Sequence, residues 1–134
     1  MKAIADTGLL VAFANRGDRH HDWAVGIAAQ IDEPLLTCDA VLAETAFHLR
    51  NSRLVLEMVR DGLVTPAFDV RAHVEDLLSL AKRYADRHPD LADLCLIRLS
   101  ELHPRRRVIT TDVEDFRVYR RNAREAIPLI SPPS

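Results

Sequence analysis

Arg107-Val108-Ile109-Thr110-Thr111-Asp112-Val113-Glu114-Asp115-Phe116 is the stretch from which the fold can be read. Val108, Ile109 and Thr110 form a β-branched run, the composition of a strand that packs on both sides. The run enters Asp112, and a short helix is expected from there to about Arg121. The same arrangement occurs at the front of the chain, where Ala3-Ile4-Ala5 stops at Asp6. Runs that are apolar at successive positions suit parallel strands covered on both faces.

Between these two acids, strand and helix signals alternate. Gly8 permits a turn into a short apolar helix, Leu9 to Ala14, and Asn15-Arg16-Gly17-Asp18 is loop chemistry. Trp23, Ile27 and Ile31 give one apolar helical stripe. Leu35-Leu36-Thr37 reads as a second strand between Pro34 and Asp39, with Asp39 suited to cap a helix from Ala40 to Leu49. Leu54 to Arg60 is a helix closed by Asp61-Gly62, and Leu63-Val64-Thr65 a strand ended by Pro66. Val70, Val74, Leu77, Leu78, Ala81 and Tyr84 make the clearest amphipathic helix. Pro89 and Asp90 introduce another, Leu91 to Leu102, and Ile127 to Ile130 is a last strand before a Pro-Ser tail. Such alternation predicts an α/β fold, with helices layered around a central, mostly parallel sheet of four to five strands.

With 134 residues the chain fits one domain, 1–134, with a core of its own. Its hydrophobic fraction of 48% and charged fraction of 28% are those of a globular protein. No run reaches the ~18 apolar residues of a transmembrane helix, so no membrane partner is expected. The first residues meet Asp6 and Gly8 where a signal peptide needs ~7–15 apolar positions, which predicts a cytoplasmic protein. Cys38 and Cys95 supply no CxxC pair and read as buried, reduced thiols.

Four acids stand where stability alone rarely puts them. Asp6 and Asp112 lie at the carboxyl ends of strands, the rim on which open parallel sheets build ligand sites. Glu44 is in mid-helix, flanked at about 100° per residue by Val41 and Phe47. Asp93 sits between Leu96 and Ile97 near the start of its helix. A charge on an apolar face is costly unless it is paired or bound to a metal. Each acid also has a plainer explanation. Asp112 with Asp115, and Asp90 with Asp93, have the spacing of a cap and its capping-box acid. Asp6 could be a turn residue ahead of Gly8, and Glu44 could reach solvent beside His48.

Asp6-Thr7 after an N-terminal strand, Glu44 on a helix, Ala92-Asp93-Leu94-Cys95-Leu96-Ile97, and Thr110-Thr111-Asp112-Val113-Glu114-Asp115-Phe116 together resemble a PIN domain. Within that family the pattern is most similar to the VapC-type toxins of toxin–antitoxin pairs, and the likeness runs from Met1 to about Arg121. The resemblance implies a three-layer α/β/α domain and a metal-dependent endoribonuclease. It implies Asp6, Glu44, Asp93 and Asp112 as the acidic, metal-binding and catalytic set, with Asp115 auxiliary. It implies a hydroxyl, from Thr110 or Thr7, hydrogen-bonded within the cluster. Mg²⁺, for which Mn²⁺ can substitute, is the expected cofactor, and RNA the expected substrate, cut to a 5′-phosphate and a 3′-hydroxyl. A small antitoxin protein and a second copy of the chain are the expected partners.

The net charge is −2, which by itself argues against a general nucleic-acid binder. The basic residues are unevenly placed, however: all but Lys2 and Lys82 of the 18 are arginines, and a cluster of these runs from Arg105 to Arg124. Arg117, Arg120, Arg121 and Arg124 recur at helical spacings beside Asp112, so Arg117, Arg120 and Arg121 are candidates for RNA phosphates, against the alternative of a solvated helix face. The six histidines show no paired-ligand spacing and are expected on surfaces. Trp23 reads as core or dimer interface. Two other functions remain open, a housekeeping RNA-processing nuclease of the same fold and a catalytically idle RNA- or protein-binding module.

Overall fold

A computed structural model describes residues 1–133. Its elements are β1 (Ala3–Ala5), α1 (Thr7–Ala14), α2 (His21–Ala28), β2 (Leu35–Thr37), α3 (Asp39–Leu49), α4 (Ser52–Arg60) and β3 (Val64–Pro66). Then come α5 (Val74–Arg83), α6 (Leu91–Leu102), β4 (Arg107–Ile109), α7 (Val113–Val118), β5 (Arg120–Arg121), β6 (Glu125–Ala126) and β7 (Leu129–Ile130). Five strands form one sheet in the order β3-β2-β1-β4-β7, every pairing parallel. With its helices the sheet makes the expected three-layer α/β/α fold.

The short apolar strands are central because they are apolar on both sides. All of Ala3, Ile4 and Ala5 are buried, as are Val108 and Ile109, and the two strands lie side by side in the register Ala5↔Ile109. Pro66 falls in the edge strand β3, where a missing N–H costs the sheet nothing. Helix α6 is buried nearly all round, through Leu94, Cys95, Leu96, Ile97 and Leu99, and packs against β1 and β4. Cys38 and Cys95 are free and buried, as expected.

Several boundaries differ from expectation for local reasons. Cys38, not Asp39, is the N-cap of α3, and Asp39 is its first helical residue. The amphipathic helix begins at Val74 and not Val70, because Arg71–His73 take the tighter 3-10 turn. Gly8 makes no turn; it is the second residue of α1. The largest correction concerns the helix expected to reach Arg121, which ends at Val118. Asn122 and Ala123 both adopt left-handed backbone angles, φ 51° and 67°, in a tight turn closed by Arg124 N donating to Arg121 O at 3.2 Å. That turn pairs Arg120-Arg121 antiparallel with Glu125-Ala126 and takes the arginines off the helix.

Candidate active site

In the strand order, β2 and β3 lie on one side of β1, and β4 and β7 on the other. Chain connections therefore leave the β1/β4 pair in opposite directions, and a crevice opens beyond their carboxyl ends. Asp6 follows β1 at that point, while Thr110, Thr111 and Asp112 follow β4. The ladder continues one step past the strands, with Asp6 N donating to Ile109 O at 3.1 Å.

Asp6 is 7% exposed, and both of its oxygens are held. Thr7 N donates to Oδ1 at 2.7 Å, and the buried Thr110 hydroxyl donates to Oδ2 at 2.6 Å. The same Thr110 oxygen accepts from Asp112 N at 2.9 Å, joining the two strand ends through one hydroxyl. Burial pushes the Asp6 carboxyl up to about 6, against the lowering by Thr110 and Thr7 N and with help from the charges of Asp112 and Asp90.

Glu44 reaches the crevice from α3. The Thr7 hydroxyl donates to its Oε1 at 2.7 Å, so both candidate hydroxyls bond to site carboxylates. Phe47 does not flank Glu44 in an apolar face as the spacing suggested; it is 78% exposed, because this side of α3 faces outward. Burial raises the Glu44 carboxyl, and Asp90 and Asp6 add repulsion, with Thr7 opposing.

The N-cap half of each capping explanation is realised without displacing the site, while among the described residues neither Asp93 nor Asp115 makes the reciprocal capping-box bond. Asp90 Oδ1 accepts from Asp93 N at 2.8 Å, and Asp112 Oδ1 accepts from Asp115 N at 3.3 Å. A carboxylate has two oxygens, so capping a helix with one leaves the other for the crevice. Asp93 Oδ2 accepts from the Tyr119 hydroxyl at 3.0 Å. Burial first, and then the charge of Asp90, push the Asp93 carboxyl up to about 7. Asp112 is also raised, chiefly by burial, with Asp115 repelling it. The Tyr119 hydroxyl is held far above its ordinary range by burial and by Asp93, so it remains a donor.

Asp6, Glu44, Asp90, Asp93, Asp112 and Asp115 line one cavity of about 420 Å³, with His48, His88 and Thr111 at its edges. A larger recess of about 700 Å³ beside Phe47 and Arg50 gathers no acids, and we place the chemistry in the smaller one. Asp93, Asp112 and Asp115 can each bring one oxygen within 4.8 Å of the others. Hard, all-oxygen donors of this kind suit Mg²⁺ or Mn²⁺ rather than the thiolate-preferring metals. The raised carboxyls of Asp93 and Asp112 fit too, since burial and mutual repulsion are what a bound cation would relieve.

The four acids, Asp115 and Thr7 thus line one cavity, with Thr110 buried behind Asp6, whereas the arginine cluster does not join them. Arg121 is 6% exposed, its guanidinium on Glu125 and on Pro104 O. Arg120 turns back onto the carbonyls of Arg117, Val118 and Tyr119 at the end of α7. Arg117 is the exposed one of the three. Three cavity groups carry no signal of their own in the sequence: Asp90 reads only as a cap, and His48 and His88 show no paired spacing. Arg87, which pairs with Asp115 at 2.7 Å, lies in a segment with no motif. Tyr119 gives no motif or spacing signal in the sequence.

The PIN domain family matches the chain over residues 3–122, most of its length. Among curated proteins, none matches.

Proposed function

The chain belongs to the PIN domain family, and from that premise we propose that it is a Mg²⁺-dependent endoribonuclease, the toxin of a VapC-type toxin–antitoxin pair. Members of the family are in general nucleases that act on RNA or DNA, typically with divalent metal ions. The observation that carries the reading here is the convergence of Asp6, Glu44, Asp93 and Asp112 on one cavity at the β1/β4 switch point.

In this reading Asp93 and Asp112, with Asp115 beside them, hold the metal. Asp6, fixed at both oxygens, completes the acidic set from β1, with Thr110 as its hydroxyl support. Glu44, steadied by Thr7, orients the attacking water. A bound Mg²⁺ supplies charge neutralisation for the phosphodiester, acidification of a water, and stabilisation of charge on the reacting phosphate. Water as the nucleophile leaves a 5′-phosphate and a 3′-hydroxyl. Arg117 is the arginine of the proposed track still free to meet an RNA phosphate.

The order and spacing of the acid motifs support the toxin assignment and, with it, a small antitoxin and a homodimer as partners in the cytoplasm. Exposed Phe47 and Leu56, 78% and 67%, are the kind of apolar surface that protein partners cover. Among the described residues no helix is long and apolar enough to cross a membrane.

The test is to map RNA ends after induced expression of the parent and of Asp6→Asn. New 5′-phosphate ends at defined sites with the parent, and none with the variant, are expected. In vitro, cleavage should vanish in EDTA and return with Mg²⁺ or Mn²⁺ but not Ca²⁺, whose looser coordination positions water poorly. Full cleavage in EDTA by clean protein, or identical end maps for parent and variant, would overturn the proposal. Cleavage of single-stranded DNA but not RNA would leave a nuclease of a different substrate.

A further inference from the structure

We infer that Tyr119 is a positioning residue of this site, holding one oxygen of Asp93 so that the other faces the cavity. The inference rests on the reading of Asp93 as a metal-holding acid. Tyr119 follows α7 and is 0% exposed. Its ring meets Tyr84 and Phe116 edge to face, with centroids 5.1 and 5.3 Å away. Both ends of the side chain are therefore fixed, the ring by packing and the hydroxyl by its 3.0 Å bond to Asp93 Oδ2.

A buried tyrosine hydroxyl must find a partner, and a backbone group would serve. Tyr84, in the same aromatic cluster, does use backbone: its hydroxyl accepts from Arg120 N at 2.8 Å. Tyr119 instead donates to a site carboxylate, and it is the sole donor to that carboxylate among the described residues. Every other acid of the set has its own support: Asp6 has Thr7 N and Thr110, Glu44 has Thr7, and Asp112 has Asp115 N. Without Tyr119, Asp93 alone would be free to swing between rotamers. Tyr119 also ties two helices of the site together. It lies one residue beyond α7, whose first turn Asp112 caps, and it bonds to the first turn of α6, which carries Asp93.

Groups that hydrogen-bond to a metal ligand fix its orientation, and losing one typically costs ~10–100-fold in metal affinity. The test measures Mn²⁺ binding to the full chain by electron paramagnetic resonance and calorimetry, with melting in EDTA alongside. Tyr119→Phe keeps the ring and its packing while removing the donor. It should weaken Mn²⁺ binding about 10-fold or more. Tyr84→Phe removes a buried hydroxyl from the same cluster without touching an acid; it should lower the melting temperature and leave Mn²⁺ affinity unchanged. In an Asp93→Asn background, Tyr119→Phe should change Mn²⁺ affinity no further. If Tyr119→Phe binds Mn²⁺ as the parent does, or Tyr84→Phe weakens it equally, the positioning role is wrong. A parent that binds no Mn²⁺ at all would remove the metal-site reading itself, and this inference with it.

Discussion

Arg87 donates to Asp115 across 2.7 Å, which places a cation against one of the six acids around the cavity. The pair is partly shielded, with the Arg87 side chain 29% exposed and its Nε buried without a partner. Asp115 belongs to the trio that can converge on one ion, so the guanidinium offsets part of a charge that a metal would otherwise meet. Arg87→Gln should therefore have two opposite effects. In EDTA at neutral pH the variant should melt slightly lower, since a pair this exposed stabilises little. Added Mg²⁺ should then stabilise it more than it stabilises the parent, because the cluster carries one more unbalanced negative charge. Thermal melts with EDTA and with Mg²⁺ decide it; an unchanged Mg²⁺ response would mean that Arg87 and the metal do not share Asp115.

Gly8 matters for close approach. A Cβ built there would collide with Thr111 Oγ1 and stand only 3.0 Å from Thr111 Cβ. Thr111 is flanked by Thr110 and Asp112, so relief of the clash moves the strand end that fastens Asp6. Gly8→Ala should cost about 1–3 kcal/mol, the usual range for overpacking, and reduce cleavage. Adding Thr111→Gly should recover part of both, since it removes the atoms in the way. A double variant no better than Gly8→Ala would place the strain elsewhere, and stability and rate measured over the four-protein cycle would show it.

What was legible in the sequence follows from what each signal depends on. Ala3–Ala5 and Val108–Ile109 could be read as central strands because burial on both faces demands an apolar residue at every position, a constraint local to the strand. Asp6 and Asp112 could be singled out because they stand at the carboxyl ends of strands, and Glu44 and Asp93 because a carboxylate spaced among apolar neighbours has a cost that needs a reason. The hairpin after Val118 was missed because Asn122-Ala123 is a weak turn signal, and helical spacing among the arginines pointed the other way. Arg121 illustrates the consequence. Its long side chain lies buried on Glu125, its cross-strand neighbour in the hairpin, and on Pro104 O, 17 residues back along the chain, which no helical periodicity contains. Tyr119 and Arg87 were invisible for a different reason, since each meets its acid 26 or 28 residues away along the chain.

The two arginines should separate by experiment. Arg117→Ala should weaken RNA binding and lower the slope of log affinity against log salt by about 1, the signature of one lost phosphate contact. Its melting temperature should not move, because the residue is exposed. Arg121→Ala should instead destabilise the fold by about 1–3 kcal/mol through loss of its buried bonds to Glu125 and Pro104 O. RNA titrations at several salt concentrations, with melts of both variants, check the split. A salt slope lowered by Arg121→Ala but not by Arg117→Ala would reverse the assignment.

Stability against pH tests whether the acids form a strained site or simply cap helices. The Asp6 and Asp93 carboxyls lie at about 6 and about 7, above the ordinary 3.8, and burial is the first cause of both. A folded-state value above the unfolded one means that the folded chain binds its protons more tightly. The metal-free fold is thus favoured by these groups at low pH and loses that advantage as pH climbs from about 4 to about 7, then levels off. For the deeply buried Asp6 the shift corresponds to roughly 3 kcal/mol. Asp93→Asn removes the ionisation while keeping an oxygen that can accept from Tyr119. In EDTA it should match the parent near pH 4 and melt on the order of 5 °C higher at neutral pH, the gap opening across that window. Mg²⁺ should then stabilise the parent more than the variant, since a ligand that binds only the folded state adds RT ln(1 + [L]/Kd). A role confined to the helix start predicts otherwise: Asp90, not Asp93, caps α6, so the substitution leaves the cap intact, and parent and variant would melt together at every pH and ignore Mg²⁺ alike. Melting curves of the two proteins over that pH range, in EDTA and in Mg²⁺, distinguish the cases. Parallel curves with no Mg²⁺ response would end the case for a metal site among these acids.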